Sequence, residues 1–329
     1  MKVLFIGGTG NISAACSKLA IEKGIDLYHL NRGKRPINIA GVRSIMGDIN
    51  KPDTLGDLNR HTWDVVVNWI AYDVKDVERD YHLFKDRTSQ YIFISSASCY
   101  QTPLSYPVIT ESTPLKNNEW SYSNDKIRCE EYLEKMYRKH DFPITIVRPS
   151  YTYDTVIPIA IGGFRYYNTC DRILKGEKII IHGDGTSLWT NTHADDFAKG
   201  FVGLLGLTQS IGHAFHITSD EILSWNTIYQ ILAESLGCKL NAVHIASDFI
   251  CSVEPEYTGT LLADKATSVI FDNSKIKTFV PGYQATIPFA EGIKKTIAWF
   301  DSHPEEKNID AEENARIERI LKAYGALAG

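Results

Sequence analysis

The sequence predicts a doubly wound α/β fold, a parallel sheet covered by helices on both faces, followed by a smaller α/β domain. Three observations carry this. The chain opens strand, glycine turn, helix, with residues 3–6 running into Gly7-Gly8-Thr9-Gly10 and then into an apolar-periodic stretch at 12–22. From residue 1 to about 150, short apolar runs alternate with amphipathic stretches, the pattern of repeated βαβ units. Past Pro149 the alternation loosens, so residues 1–150 read as one domain and 151–329 mainly as a second, substrate-binding one.

Each element follows from its residues. Strands are read at 3–6, 27–30, 42–46, 65–70, 91–95 and 144–147, where Val, Ile, Leu, Phe and Tyr cluster, with helices at 12–22, 74–85 and 125–139 between them. In such a sheet, ligands lie beyond the carboxyl ends of the strands, so the residues just after each run are the functional candidates. Later come a helix at 165–175, a strand at 178–181, the turn Gly183-Asp184-Gly185, a helix at 197–205, a strand at 214–217 and helices at 227–236 and 287–300. The segment 193–217 is expected to pack back on the first domain. Residues 310–324 read as a charged helix with Ile317, Ile320 and Leu321 on one face, which either docks on the body or meets another subunit.

Composition narrows the partners. A net charge of −5 and a pI near 6.1, with no basic stripe, argue against nucleic acid or an anionic membrane. There is no leader pattern and no apolar run of spanning length, so a cytoplasmic protein is expected. The six cysteines are dispersed without a CxxC pair, which reads as reduced thiols and no metal site. A small-molecule substrate is expected, and a homodimer is the commonest assembly.

The glycine turn gives the first chemistry. A diphosphate needs backbone N–H groups at the positive end of a helix and positions without a Cβ, which Gly7 and Gly10 supply, so a dinucleotide site of the Rossmann type is read here. The end of the second strand would meet the adenosine ribose. It offers Asn31 and Arg32, then Lys34 and Arg35, in place of the usual acid, which favours NADP over NAD as the NAD(P) cofactor. Asp48 and Ile49 follow the third strand and would contact the adenine. The fifth run ends in hydroxyls, Ser95, Ser96 and Ser98, where the nicotinamide would lie. Tyr122 and Lys126, four apart on one helical face, place an ammonium near a phenol, and the lysine together with an oxidised nicotinamide is expected to favour its ionised form as the acid/base, with Ser96 holding the substrate oxygen.

Together these motifs resemble the extended short-chain dehydrogenase/reductase superfamily, in its NAD-dependent epimerase/dehydratase branch. The resemblance also rests on Tyr100, Arg148-Pro149, Gly183-Asp184-Gly185, His193 with Asp196, and Asp272-Asn273-Ser274-Lys275. It implies that Tyr122 is the acid/base, that Lys126 binds the nicotinamide ribose, that Ser96 binds the reacting oxygen, and that Gly7, Gly10 and Asp48 hold the cofactor. Asn11, Ile12 and Pro149 join the expected cofactor contacts, and His193 is expected to be structural.

The sequence departs from that family at four places. Ser13 stands where a third glycine is usual and would set helix and strand slightly farther apart. Ala97 and Ser98 replace the Asp-Glu pair of sugar dehydratases, which disfavours dehydration and leaves Ser98 as a substrate contact. Trp189 and Leu261 stand where nucleotide-sugar enzymes carry two arginines that clamp the diphosphate, so Arg165, Arg172 or Lys265 would meet an anion, or Trp189 would stack on a sugar or base. The leading expectation is an epimerase acting by hydride transfer at a secondary alcohol of a nucleotide-sugar-like substrate. A net reductase or dehydrogenase of a non-nucleotide substrate, and an RNA-associated protein without turnover, are the alternatives.

Overall fold

The computed structural model describes residues 1–33 and 39–326. Its centre is a seven-stranded sheet: β1 Lys2–Ile6, β2 Asp26–Asn31, β3 Arg43–Met46, β4 Val65–Asn68, β5 Tyr91–Ile94, β6 Ile144–Pro149 and β7 Ala214–Ile217, in spatial order β3-β2-β1-β4-β5-β6-β7. All pairings are parallel, for example Val3 with Leu27 on one side of β1 and with Val65 on the other. The order reverses between β1 and β4, and a crevice forms where connections leave in opposite directions.

Both faces are covered. Helices α1 Asn11–Glu22 and α5 Ala194–Leu204 pack on one, around Phe5, Phe197, Phe201 and Phe215. On the other lie α2 Val74–Phe84 and α3 Ser121–His140, around Phe84, Phe93, Leu133 and Phe142. Burial on both sides explains why Val3 to Ile6 is an unbroken apolar run rather than an alternating one. The buried side of α1 is Ser13, Ala15, Cys16, Ser17 and Ala20, small residues that let the helix approach the sheet.

A third core forms beside the sheet around Trp225, Tyr229 and Ile179 to Ile181, with α4 Asn168–Leu174, α6 Trp225–Ser235 and the parallel pair Ile179–His182 and Ala242–Ile245. The last helix, Ala311–Gly325, docks here. Ile317 and Ile320 are buried, Arg319 pairs with Glu254 at 2.5 Å, and Glu318 reaches Arg172 at 2.7 Å. Among the described residues no helix is long and apolar enough to cross a membrane.

Two expected elements are shorter than read. The strand read at 65–70 stops at Asn68, whose side chain is buried, bonds Asp80 and accepts from the Ile70 amide, turning the chain off the sheet. The helix read at 165–175 is only Asn168–Leu174, because Gly162 at φ +70 and the Tyr167 amide bound to the Asn308 carbonyl hold the preceding residues in a loop. Arg165 therefore lies on that loop and Arg172 on the helix.

Candidate functional site

Two cavities open at the carboxyl end of the sheet. One, of about 940 Å³, carries every residue expected to hold the dinucleotide: Gly7, Gly10, Asn11, Ile12, Asn31, Arg32, Asp48, Ile49, Lys126 and Pro149. The other, of about 550 Å³, lies between sheet and third core and carries Ser98, Arg165, Trp189 and Lys265. Ser96 and Tyr122 border both.

The glycines of the turn have different reasons. Gly7 and Gly8 take φ of +95 and +112, which side chains rarely adopt, and a Cβ on Gly8 would fall 2.6 Å from the buried His29 ring. Gly10 has φ −85, and its Cβ would meet only Ser13 Oγ at 3.5 Å. Packing does not demand glycine there, and the missing Cβ leaves room for a ligand to approach the backbone. No acid occupies the first turn of α1, so the positive helix end is uncompensated. These features fit a dinucleotide diphosphate.

Other contacts are refined. Ser13 Oγ accepts from the Gly10 amide at 2.9 Å, so the departure from glycine closes the helix start and engages one N–H of the turn. The Asn11 side chain is also engaged within the protein: Nδ2 donates to Thr152 O and Oδ1 accepts from Thr155 N, tying α1 to the strand Tyr151–Tyr153. Asn31 Oδ1 accepts from the Gly33 amide while its buried Nδ2 has no partner among the described residues, and Arg32 is exposed beside it. Lys34 and Arg35 lie outside the described residues.

Ser96 follows β5 by two residues and caps the short turn Ala97–Cys99, its Oγ accepting from the Ser98 amide. Tyr122 sits in the first turn of α3. Lys126 Nζ donates to the carbonyls of Ala71 at 2.6 Å and Ile94 at 2.8 Å and lies 5.8 Å from the centre of the Tyr122 ring. Burial pushes Tyr122 up to about 12, opposed by its contact with Ser96, and burial pulls Lys126 down to about 8. The ammonium gives two of its donors to backbone carbonyls.

In the substrate cavity Trp189 is buried, its Nε1 without a partner, beside Trp225 and edge-on to Tyr151. Lys265 Nζ pairs with Asp264 at 2.8 Å and lies over the rings of Tyr151 and Trp189. Leu261 is fully buried. Arg172 is excluded as an anion contact: it is buried and its guanidinium binds Lys178 O, Glu177 and Glu318. His193 caps α5, accepting from the Asp195 amide, as a structural residue does.

Several site residues were not read from the sequence. Glu130, buried on α3, accepts from Ser95 Oγ and is clamped by Arg148, which also reaches Tyr100. The signal was present, since Tyr122, Lys126 and Glu130 recur every four residues along one face. Ser123 and Glu313 also reach the site; neither carries a local signal, because each depends on a partner distant in sequence.

The comparisons with known proteins agree with this geometry. Residues 3–217 match the NAD dependent epimerase/dehydratase family. A UDP-glucose 4-epimerase of Mycolicibacterium smegmatis is 27% identical over 63% of this chain and 60% of its own length. An Arabidopsis thaliana 3beta-hydroxysteroid-dehydrogenase/decarboxylase, isoform 2, is 24% identical over 63% of this chain and 40% of its own length. The chain thus spans roughly half the length of these curated relatives. Among solved structures, an epimerase of Methanothermobacter thermautotrophicus superposes with a TM-score of 0.75 at 17% identity, over 92% of this chain and 93% of that one.

Proposed function

Because the chain belongs to the NAD-dependent epimerase/dehydratase family, we propose that it moves hydride at a secondary alcohol of a sugar-like substrate and returns it to the other face, as an epimerase. The observation that carries this reading is the meeting of the two cavities at Ser96 and Tyr122. A bound dinucleotide supplies the hydride acceptor and donor and, when oxidised, a positive charge beside the phenol. The chain does the rest. Tyr122 holds and moves the proton of the reacting oxygen, Ser96 hydrogen-bonds that oxygen, and Lys126 braces the ends of β4 and β5 through Ala71 and Ile94. Ala97 and Ser98 provide no carboxylates for water loss, so the chemistry stops at hydride and proton transfer.

We read the substrate as nucleotide-sugar-like but held without an arginine clamp, so that common UDP-hexoses bind weakly. Trp189 and Leu261, both buried, favour a second reading, a dehydrogenase or reductase of a non-nucleotide substrate. A panel of nucleotide sugars and free sugars, screened by thermal shift with NAD or NADP present, identifies binders, and turnover of the best is then followed by NMR of the two epimers, with absorbance at 340 nm reporting any net oxidation or reduction. Tyr122→Phe is expected to keep its fold and cofactor affinity and lose most turnover, because only the proton-transfer group is removed. Turnover undiminished in that variant overturns the assignment. UDP-glucose bound at low micromolar concentration overturns the altered clamp.

A further inference from the structure

Three hydroxyls form a chain that ends on the reacting centre. Ser123, the residue after Tyr122 on α3, is fully buried and donates its hydroxyl to Ser98 Oγ at 2.8 Å. Ser98 Oγ is in turn 2.8 Å from Ser96 Oγ, a contact in which either hydroxyl can be the donor. The Ser98 amide also points at Ser96 Oγ, at 3.2 Å.

A hydroxyl has one proton to give and two lone pairs to receive with. Ser123 fills one acceptor position of Ser98 and so orients it. Among the described residues, the acceptor within reach of the Ser98 proton is Ser96 Oγ. If Ser98 donates there, Ser96 receives from both the hydroxyl and the amide of Ser98, and both its lone pairs are filled. Its own proton then has one direction left, into the cavity bordered by Tyr122. With the reverse polarity Ser96 would spend its proton on Ser98 and face the cavity as an acceptor.

We propose that Ser123 and Ser98 are positioning residues that fix Ser96 as a hydrogen-bond donor toward the reacting oxygen and the Tyr122 phenol. Such a donor suits the chemistry. Negative charge gathers on the substrate oxygen as hydride leaves or arrives, and on the phenol when it has given up its proton, and an O–H held in the cavity between them stabilises whichever of the two bears the charge at that step. The arrangement also gives a use to Ser98, which occupies one of the two positions where the resembling dehydratases carry acids. This inference rests on the proposed hydride-transfer reading, but its test does not require turnover.

The groups facing Tyr122 are Ser96, Cys99, Tyr72 and Asp264, with Lys126 across its ring. The probe is 3-fluorotyrosine placed at position 122 by codon suppression and titrated by fluorine NMR in the full-length protein saturated with NAD. Against the otherwise native sequence, Ser98→Ala and Ser123→Ala are expected to raise the phenol titration by roughly 0.5 to 1 pH unit, because the aimed donor is lost. Ser98→Thr, which keeps the hydroxyl, is expected to restore it. A titration unmoved in both alanine variants, with folding intact by circular dichroism, overturns the chain. So does an equal shift in Ser98→Thr, which would mark a packing effect. If Tyr122 is not the acid/base at all, that failure shows in the turnover of Tyr122→Phe and not in this titration, so the two readings fail separately.

Discussion

Gly8→Ala separates the protein's reasons for the glycine turn from the ligand's. At φ +112 a residue with a Cβ is strained by about 1–3 kcal/mol. The new methyl would also fall 2.6 Å from His29 Cε1 and Nε2. That ring cannot swing away cheaply, because it is fully buried, stacked on Phe5 and bonded to Ser17 Oγ at 2.9 Å. Overpacking of this kind costs about 1–3 kcal/mol more. The variant is therefore expected to lose about 2–6 kcal/mol in urea unfolding followed by far-UV circular dichroism, and to bind the cofactor more weakly by calorimetry. In the pair Gly8→Ala/His29→Ala the overlap disappears while the backbone strain stays, so the two changes should be less costly together than their sum by about 1–3 kcal/mol. Gly10→Ala is the contrast: with ordinary φ and a nearest contact at 3.5 Å it should leave stability within about 0.5 kcal/mol and still weaken the cofactor. A Gly8→Ala protein as stable as the parent, additivity in the pair, or a Gly10→Ala protein with undiminished affinity would refute the reasoning.

Arg148→Met strands Glu130, which is 1% exposed, and is expected to cost about 3–5 kcal/mol in urea unfolding, with part recovered in Arg148→Met/Glu130→Gln; a loss below about 1 kcal/mol would contradict it. Burial pulls His29 down to about 4 from its ordinary 6.5, so the unfolded chain binds the extra proton as pH falls through 6.5 and stability is lost between there and pH 4. His29→Gln should therefore show a drop from pH 7 to pH 5 that is smaller than the parent's by about 2 kcal/mol, and an equal drop would refute the burial argument. The unpartnered Asn31 Nδ2 and the exposed Arg32 motivate tighter binding of NADP than NAD, narrowed in Arg32→Ala; calorimetry showing NAD tighter by about tenfold would overturn that.

What was legible in the sequence was what local spacing encodes. The strand, glycine turn and helix at residues 1–22, the hydroxyls after β5 and the four-residue step from Tyr122 to Lys126 are short-range patterns, and each falls where the cavities are. The direction of the Lys126 ammonium was not legible, because proximity of a cation can be read from spacing but the carbonyls that engage it cannot: Ala71 and Ile94 lie 55 and 32 residues away. Arg172 misled for the same reason. Its cationic residue type suggests an anion, while its guanidinium is buried against Lys178 O, Glu177 and, from the docked last helix, Glu318. The strands Ala242–Ile245 and Tyr151–Tyr153 and the helix Ser247–Val253 were not read, being short and bounded by neither a glycine turn nor a long periodic run.

The substrate end shows how a departure visible in sequence changes meaning in space. Trp189 replaces an arginine, and an exposed indole there would make a stacking platform. It is instead a wall, 3% exposed and covered by Lys265 at 5.5 Å and Trp225 at 5.4 Å between ring centres. Lys265, the nearby cation, already has Asp264, and Glu313 is taken by the Gly162 amide and the Tyr257 hydroxyl. Among the described residues lining this cavity, Arg165 is then the cation without an acidic partner, exposed on the loop that the helix Ala311–Gly325 holds through Gly162. An anion bound here would meet one guanidinium at the rim rather than two in the interior, and its affinity should fall with salt as a solvent-exposed pair does. Arg165→Ala is therefore expected to weaken a charged binder from the sugar panel and to leave a neutral one unchanged by thermal shift. Equal loss for both would mean that Arg165 shapes the mouth rather than recognising charge.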